Sequence, residues 1–196
     1  GLDAGGAMTS GDRNIGIGEL ALGVGVVTGD RNTAVGYKAL EDVTDGGYNV
    51  AMGNECGKAL TTGDENVFIG QSTGNTTTAV GLATVIGSSA CQRDLTTAAN
   101  GVVAIGYLAQ GALTSGQYNT AIGYRALRTN IDGDGNTALG YNALFTFEAS
   151  SDGHGGNVGL GDNTGRYMTT GRGNTFVGSE ANAGNTALAG NYNTAV

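Results

Sequence analysis

A β-branched residue, a small residue, then a large aliphatic one: this rhythm stands between Asn and Gly in NTAVG at 32–36. It returns as NVAMG, NVFIG, NTAIG, NTALG, NVGLG and NTFVG. Aligned on the Asn, the motif is anchored at residues 14, 32, 49, 66, 119, 136, 157, 174 and 193. Ala83 and Val102 fill the gap in the same register. The anchors are spaced 18, 17, 17, 17, 19, 17, 17, 21, 17 and 19 residues apart, which makes an internal repeat the dominant signal. Small residues fill the middle position except at Phe68, Val85 and Phe176. Such period-2 alternation, carried by β-branched residues, predicts one short strand per repeat.

Each complete motif closes on Gly, among them Gly36, Gly53, Gly70, Gly123, Gly140 and Gly178. A position that takes only Gly implies positive φ or a close backbone approach at a corner. Three residues before most anchors another Gly stands, as at Gly29, Gly46 and Gly133, and marks a second turn. Two turns and a strand per repeat make one coil of an all-β parallel solenoid or β-roll, a single repeat domain over residues 1–196. A lone coil cannot bury its apolar side, but stacked coils bury a continuous one. Coils about 4.8 Å apart would make a stack of roughly 50 Å. The anchor column (Asn32, Asn49, Asn66, Asn119, Asn136 and Asn174) is then expected to hydrogen-bond amide to amide up the stack. The aliphatic and Thr/Val columns are expected to face inward. The Ala column would form a flat outer surface where chains meet, with three-fold symmetry favoured.

Two stretches depart from the repeat. Within 71–101, TTAVG at 77–81 precedes ATVIG at 83–87, and the first is expected to be a second strand of its coil. FTFEASSDGHGG at 145–156 is expected to be a loop standing off the stack. The chain opens on the loop-like GLDAGGAMTSGD and stops at NYNTAV midway through a motif, as a piece cut from a longer protein would.

Composition narrows the function. Charged residues are only 13%, against about a quarter in typical soluble proteins. The formal net charge is −8 and no basic cluster occurs, so nucleic acid and anionic membranes are disfavoured as partners. No run of 18 apolar residues suggests membrane insertion. Cys56 and Cys91 fall two coils apart, too far for a disulfide within the chain, and read as separate buried thiols; an inter-chain bridge is the sharper alternative.

Candidate chemistry is sparse. His154, the one histidine, sits beside Ser150, Ser151 and Asp152 on a Gly-rich loop, without the rigid support a catalytic triad needs. IDGDGN at 131–136 alternates Asp132, Asp134 and Asn136 like the start of a calcium loop, but Thr137 and Ala143 stand where Gly and Glu belong. GHGGNVGLGD misses the calcium-roll signature at Val158. The turn acids Asp12, Asp30, Asp45, Asp64 and Asp132 read as a solvated edge column rather than a hydrolytic pair. Tyr37, Tyr107, Tyr124 and Tyr141 follow the motif Gly, whereas Tyr48, Tyr118 and Tyr192 precede an anchor. They either cap the core and cover Gly corners or offer rings to sugars. A Thr ladder raises ice binding, which the expected inward orientation of Thr argues against.

The motif N-T-A-[VIL]-G-Y-x-A-L, covering nearly all of 12–196, resembles the head repeats of trimeric autotransporter adhesins of the YadA type. It is similar, too, to repeats in phage tail fibres that precede a self-cleaving chaperone domain. The resemblance implies a trimeric, left-handed parallel β-roll on a cell or virion surface, used for attachment. The expected function is therefore a non-enzymatic segment of an extracellular fibre. It would need no cofactor and would engage a host glycan or matrix protein, with Tyr37, Tyr107, Tyr124, Tyr141 and His154 as candidate contacts. The alternatives are a filament subunit stacked end to end and a polysaccharide-binding or polysaccharide-cleaving tailspike.

Overall fold

The computed structural model describes residues 1–149, 155–184 and 189–196. Each repeat contributes one strand: β1 (Ile15–Ile17), β2 (Thr33–Val35), β3 (Val50–Met52), β4 (Val67–Ile69), β5 (Thr84–Ile86), β6 (Val103–Ile105), β7 (Thr120–Ile122), β8 (Thr137–Leu139), β9 (Val158–Leu160), β10 (Thr175–Val177) and β11 (Thr194–Ala195). They form a single eleven-stranded sheet in chain order. All pairings are parallel and keep one register, with Ala34 opposite Ala51 and Ala104 opposite Ala121. This is the parallel β-solenoid that the repeat predicts. Backbone groups bond to the coils on either side: Val50 N–H donates forward to Asn66 O and Gly53 N–H back to Val35 O, both at 2.8 Å. The ladder continues round the turns, as in Leu127 N–H to Ala143 O at 2.9 Å. Hence strands of three residues suffice.

Residues 77–81 form no strand, contrary to the sequence expectation. Val80 instead takes the place of the turn Gly, and its carbonyl accepts from Asn66 Nδ2 at 2.8 Å. Thr77 and Val80 are both fully buried. Among the described residues the second side of the coils is made mostly of turns, with an isolated parallel bridge between Met8 and Val27.

The corner glycines explain the sharpness of the bend. All ten motif glycines, Gly18 to Gly178, have φ between 117° and 143°, a region closed to residues with a Cβ. A Cβ on Gly36 would lie 2.3 Å from Gly53 O, and one on Gly123 equally close to Gly140 O. Both sequence explanations therefore hold at once. Three further positions per coil are left-handed without being reserved for Gly: the residue before the anchor, and the sixth and eighth after it. Tyr48, Glu55 and Leu40 are examples, at φ 59°, 52° and 49°.

The faces of the strands are opposite to the expectation. Ala34, Ala51, Ala104, Ala121 and Ala138 are fully buried inside the solenoid, as are Phe68 and Val85. The Thr/Val and aliphatic columns point outward, so β2 to β10 read half-exposed, buried, half-exposed or exposed. The reason is room. The interior is narrow because Leu22, Leu40, Leu127 and Leu144 cross it from the turn side, and only a small strand residue fits opposite them. Where the strand residue is Phe, the opposing positions are Gly: a Cβ on Gly74 would lie 2.7 Å from the Phe68 ring. Phe176 is matched in the same way by Gly165.

The Asn ladder forms as expected and includes Asn14, Asn157 and Asn193. Each Oδ1 accepts from the next anchor's amide and, in most steps, its Nδ2, as from Asn136 to Asn119 Oδ1 at 2.9 and 3.0 Å. The Nδ2 groups of Asn14, Asn32, Asn49, Asn66, Asn119, Asn157 and Asn174 also reach a turn carbonyl of the next coil, as Asn32 does to Gly46 O at 2.8 Å. The ladder stops where Ala83 offers only its amide to Asn66 Oδ1, at 3.0 Å.

The insertion is shorter than 145–156. Thr146 N–H bonds to Arg166 O at 3.1 Å and Phe147 is fully buried, so these residues belong to the coil. Ser150, Ser151, Asp152 and His154 lie outside the described residues.

Candidate functional site

The outward sheet face is a continuous surface that the fold sets up along all eleven strands. It carries two columns: Thr or Val, with Ile at the first strand, and Val, Ile, Leu or Met two residues later. No charged side chain occurs in either column. Ile17, Met52 and Leu139 are 58%, 43% and 47% exposed, while Ile69, Ile86, Ile105 and Ile122 are half-buried because neighbouring rungs shield one another. At about 4.8 Å per rung the strip is roughly 50 Å long and about 10 Å wide, on the order of 500 Å². A patch of that size is about the largest that a typical monomer exposes, and such patches are often functional. The sequence showed these residues but placed them inside. The informative signal was the small middle residue, which is what a crowded interior selects.

The tyrosines separate into two kinds. Tyr107, Tyr124 and Tyr141 form a stacked column beside this face, with ring centroids 5.3 and 5.2 Å apart. Tyr124 stands between its two neighbouring rings, with the Arg125 guanidinium also 4.9 Å from its centroid, so the outer faces of Tyr107 and Tyr141 are the ones left for a sugar. Tyr37 stands apart from them, with Lys38 Nζ 5.5 Å from its ring centroid. Tyr118 and Tyr192 lie over Gly101 and Gly173, where a Cβ would approach their rings to 3.0 and 2.6 Å. Arg31 sits 5.0 Å over Tyr48 and bonds to its hydroxyl. At Tyr118 and Tyr192 covering glycine turns is what the rings do, whereas Tyr48 covers Arg31.

The acidic edge column is more than solvated charge. Asp30 Oδ1 accepts from Asp12 N–H at 2.7 Å, Asp64 Oδ1 from Gly47 N–H at 2.6 Å and Asp134 Oδ1 from Gln117 N–H at 2.7 Å. Asn100 and Asn191 make the same bond to Gly81 and Arg172. These side chains staple one turn to the previous one, a role the sequence reading missed. Its signal was the recurrence of Asp or Asn two residues before alternate anchors at 30, 64, 100 and 134.

The IDGDGN residues diverge. Asp134 is committed to Gln117, Asn136 belongs to the buried ladder, and Asp132 pairs with Glu148. The Glu148 carboxyl is pushed up to about 7, first by burial and further by its hydrogen bond with Asp132. Its Oε2 is also taken by the Ile131 amide at 2.7 Å. Among the described residues, no group of three His, Cys, Asp or Glu side chains is placed to hold a metal.

Cys56 and Cys91 are free and fully buried, as the spacing predicts. Burial pushes the Cys56 thiol up to about 12 and raises Cys91 further. Neither is a ready nucleophile. No helix among the described residues is long and apolar enough to cross a membrane. Comparison of the chain with protein-family models, with curated proteins and with solved structures returned no match.

Proposed function

We propose that this chain is a non-enzymatic structural segment of an extracellular fibre, assembled as a homotrimer and used for attachment. The observation that carries this reading is the uncharged, largely apolar outward face of the sheet. A strip of that length left in water invites association, and three copies can close around an axis with the strips inward. The motif's resemblance to adhesin heads and tail-fibre repeats supports the same assembly. The stiffness of the coil ladder would let turns and edge columns project toward a host glycan or matrix protein.

Light scattering behind a sizing column tests the assembly. A mass near three times 19.4 kDa is expected. Ile122→Lys, which puts a charge at the middle of the strip, should leave the circular dichroism intact and return the chain to monomer, because an unpaired buried charge costs several kcal/mol. A monodisperse wild-type monomer overturns the trimer. It would favour a second reading: Thr33, Thr84, Thr120, Thr137 and Thr175 do point outward in register, and ice recrystallisation would then be the assay. Void-volume fibres would favour end-to-end filaments. A glycan array and turnover of host polysaccharide separate attachment from tailspike activity.

A further inference from the structure

Tyr107, Tyr124 and Tyr141 occupy the same place in three consecutive coils, five residues after the anchors at 102, 119 and 136. Their rings stack at 5.3 and 5.2 Å with interplanar angles of 24° and 10°. The backbone ladder sets this spacing: Tyr124 and Tyr141 follow Gly123 and Gly140, whose amides bond to the preceding coils at 2.7 and 2.8 Å. All three rings are accessible, at 43%, 38% and 49% exposed. No other tyrosines share this arrangement among the described residues. In Tyr37's column, the next two coils carry Asn54 and Gln71.

We propose that this column is an oxidative modification site, at which neighbouring tyrosines couple into a dityrosine staple between coils. The oxidant is hydrogen peroxide acting through a haem peroxidase. One hydrogen atom is removed from each of two phenols, giving two phenoxyl radicals with spin density at the ring carbons ortho to oxygen. A carbon–carbon bond forms between two such carbons. The hydrogens they carried pass through solvent to the two oxygens, restoring both phenols. Hydrogen peroxide takes up the two electrons and two protons and leaves as two waters. The fold supplies proximity: radicals held one rung apart react as an intramolecular pair rather than by diffusion. Tyr124 is shared, so it couples to Tyr107 or to Tyr141. Either bond closes a one-coil loop and opposes unwinding of the solenoid. The inference rests on coil stacking within one chain and stands whether or not the chain is a trimer.

The test is to treat the full chain, dilute, with a haem peroxidase and hydrogen peroxide. Dityrosine fluorescence, mass on a denaturing gel and peptide masses are then read. The expected product runs as a single chain and has lost two hydrogens. Its linkage joins Tyr124 to Tyr107 or Tyr141, and its rate does not depend on protein concentration. Tyr124→Phe leaves only rings two coils apart and should drop the yield to that of the denatured wild type. The double variant Tyr107→Phe with Tyr141→Phe should do the same, while Tyr48→Phe should change nothing. Circular dichroism confirms that each variant is folded. A Tyr124→Phe yield equal to wild type overturns the proposal. So does a linkage that maps to Tyr48, Tyr118 or Tyr192, or coupling found only between chains.

Discussion

The coils anchored at Asn119 and Asn136 and those anchored at Ala83 and Val102 share one sheet, one register and the same corner glycines, yet they fill their interiors by different means. In the first pair a polar ladder runs up one wall, with Asn136 bonded to Asn119 and Asn157 to Asn136. Ala121 and Ala138 face Leu127 and Leu144 beside it, all fully buried. In the second pair the ladder is absent, and Ala83, Val85, Val102, Leu95 and Ala99 form an apolar plug. A single amide enters from the turn side: Gln110 Nε2 donates to Val103 O at 3.0 Å and Asn119 O at 3.3 Å. Backbone stacking therefore defines the coil, and the interior needs matched volume above all. Both solutions meet that, although the second leaves Gln110 Oε1 buried with no hydrogen-bond partner among the described residues.

If that is so, the most damaging change is one that strikes the shared backbone. Gly123→Val and Gly87→Val each add a branched side chain at φ 135° and 130°. Their Cβ atoms would lie 2.3 and 2.7 Å from the next coil's backbone. Both should cost more than about 4 kcal/mol, or abolish folding. Urea unfolding checks this. A much milder effect at Gly87 would show that the plug region tolerates a relaxed coil.

Interior volume comes next. Phe68→Ala opens a cavity that Gly57 and Gly74 cannot fill, at a cost of about 3–5 kcal/mol. Adding Gly74→Leu converts the coil to the Ala/Leu solution of the coils anchored at Asn32 and Asn119, although the adjacent coils carry Gly57 and Cys91 in that column. Gly74 has φ 56°, close to the 49° and 51° that Leu40 and Leu127 already adopt in that column. The double variant should therefore recover most of the loss in thermal unfolding. Failure to recover would mean that the two interiors are not interchangeable.

The polar ladder is the third lever. Asn136→Ala removes the acceptor of the Asn157 amide and side chain, now held at 3.1 and 3.0 Å. Stranding those buried donors should cost about 2–3 kcal/mol. The reverse change, Ala83→Asn, extends the lower ladder into the plug and should stay within about 1 kcal/mol of wild type, because a satisfied amide replaces apolar contact. A large penalty there would make the ladder gap a requirement of the plug rather than a neutral alternative.

The sequence carried these features unequally. Period, strand position, corner Gly and Asn ladder were legible because each recurs as one kind of residue at one place, the corner Gly in every complete coil and the Asn in all but those anchored at Ala83 and Val102. Strand orientation was not. Both candidate columns are apolar, and alternation alone does not say whether Ala34 or Val35 faces inward; the deciding evidence was Leu40 across a narrow interior. The Asp30 and Asp64 staples were hidden because an acidic turn residue looks the same whether it meets water or a backbone amide. The left-handed turn positions left no trace, since Leu, Lys, Glu and Ser occupy them as readily as Gly.

That last feature supplies the finest test of the comparison. Ser72 belongs to a coil with the ladder and Ser89 to one without it, yet both sit six residues after the anchor, at φ 52° and 55°. Their amides bond back to Asn54 O and Gln71 O at 2.9 and 3.0 Å. A non-Gly residue pays a steric penalty in this conformation, partly offset by the greater freedom of Gly when unfolded. Ser72→Gly and Ser89→Gly should each stabilise the chain by about 0.5 kcal/mol, seen as matched small rises in the unfolding midpoint. Equal gains mean that turn geometry is set by backbone stacking alone. Unequal gains would show that the interior reaches through the coil to its turns, and the two halves of the comparison would no longer be separable.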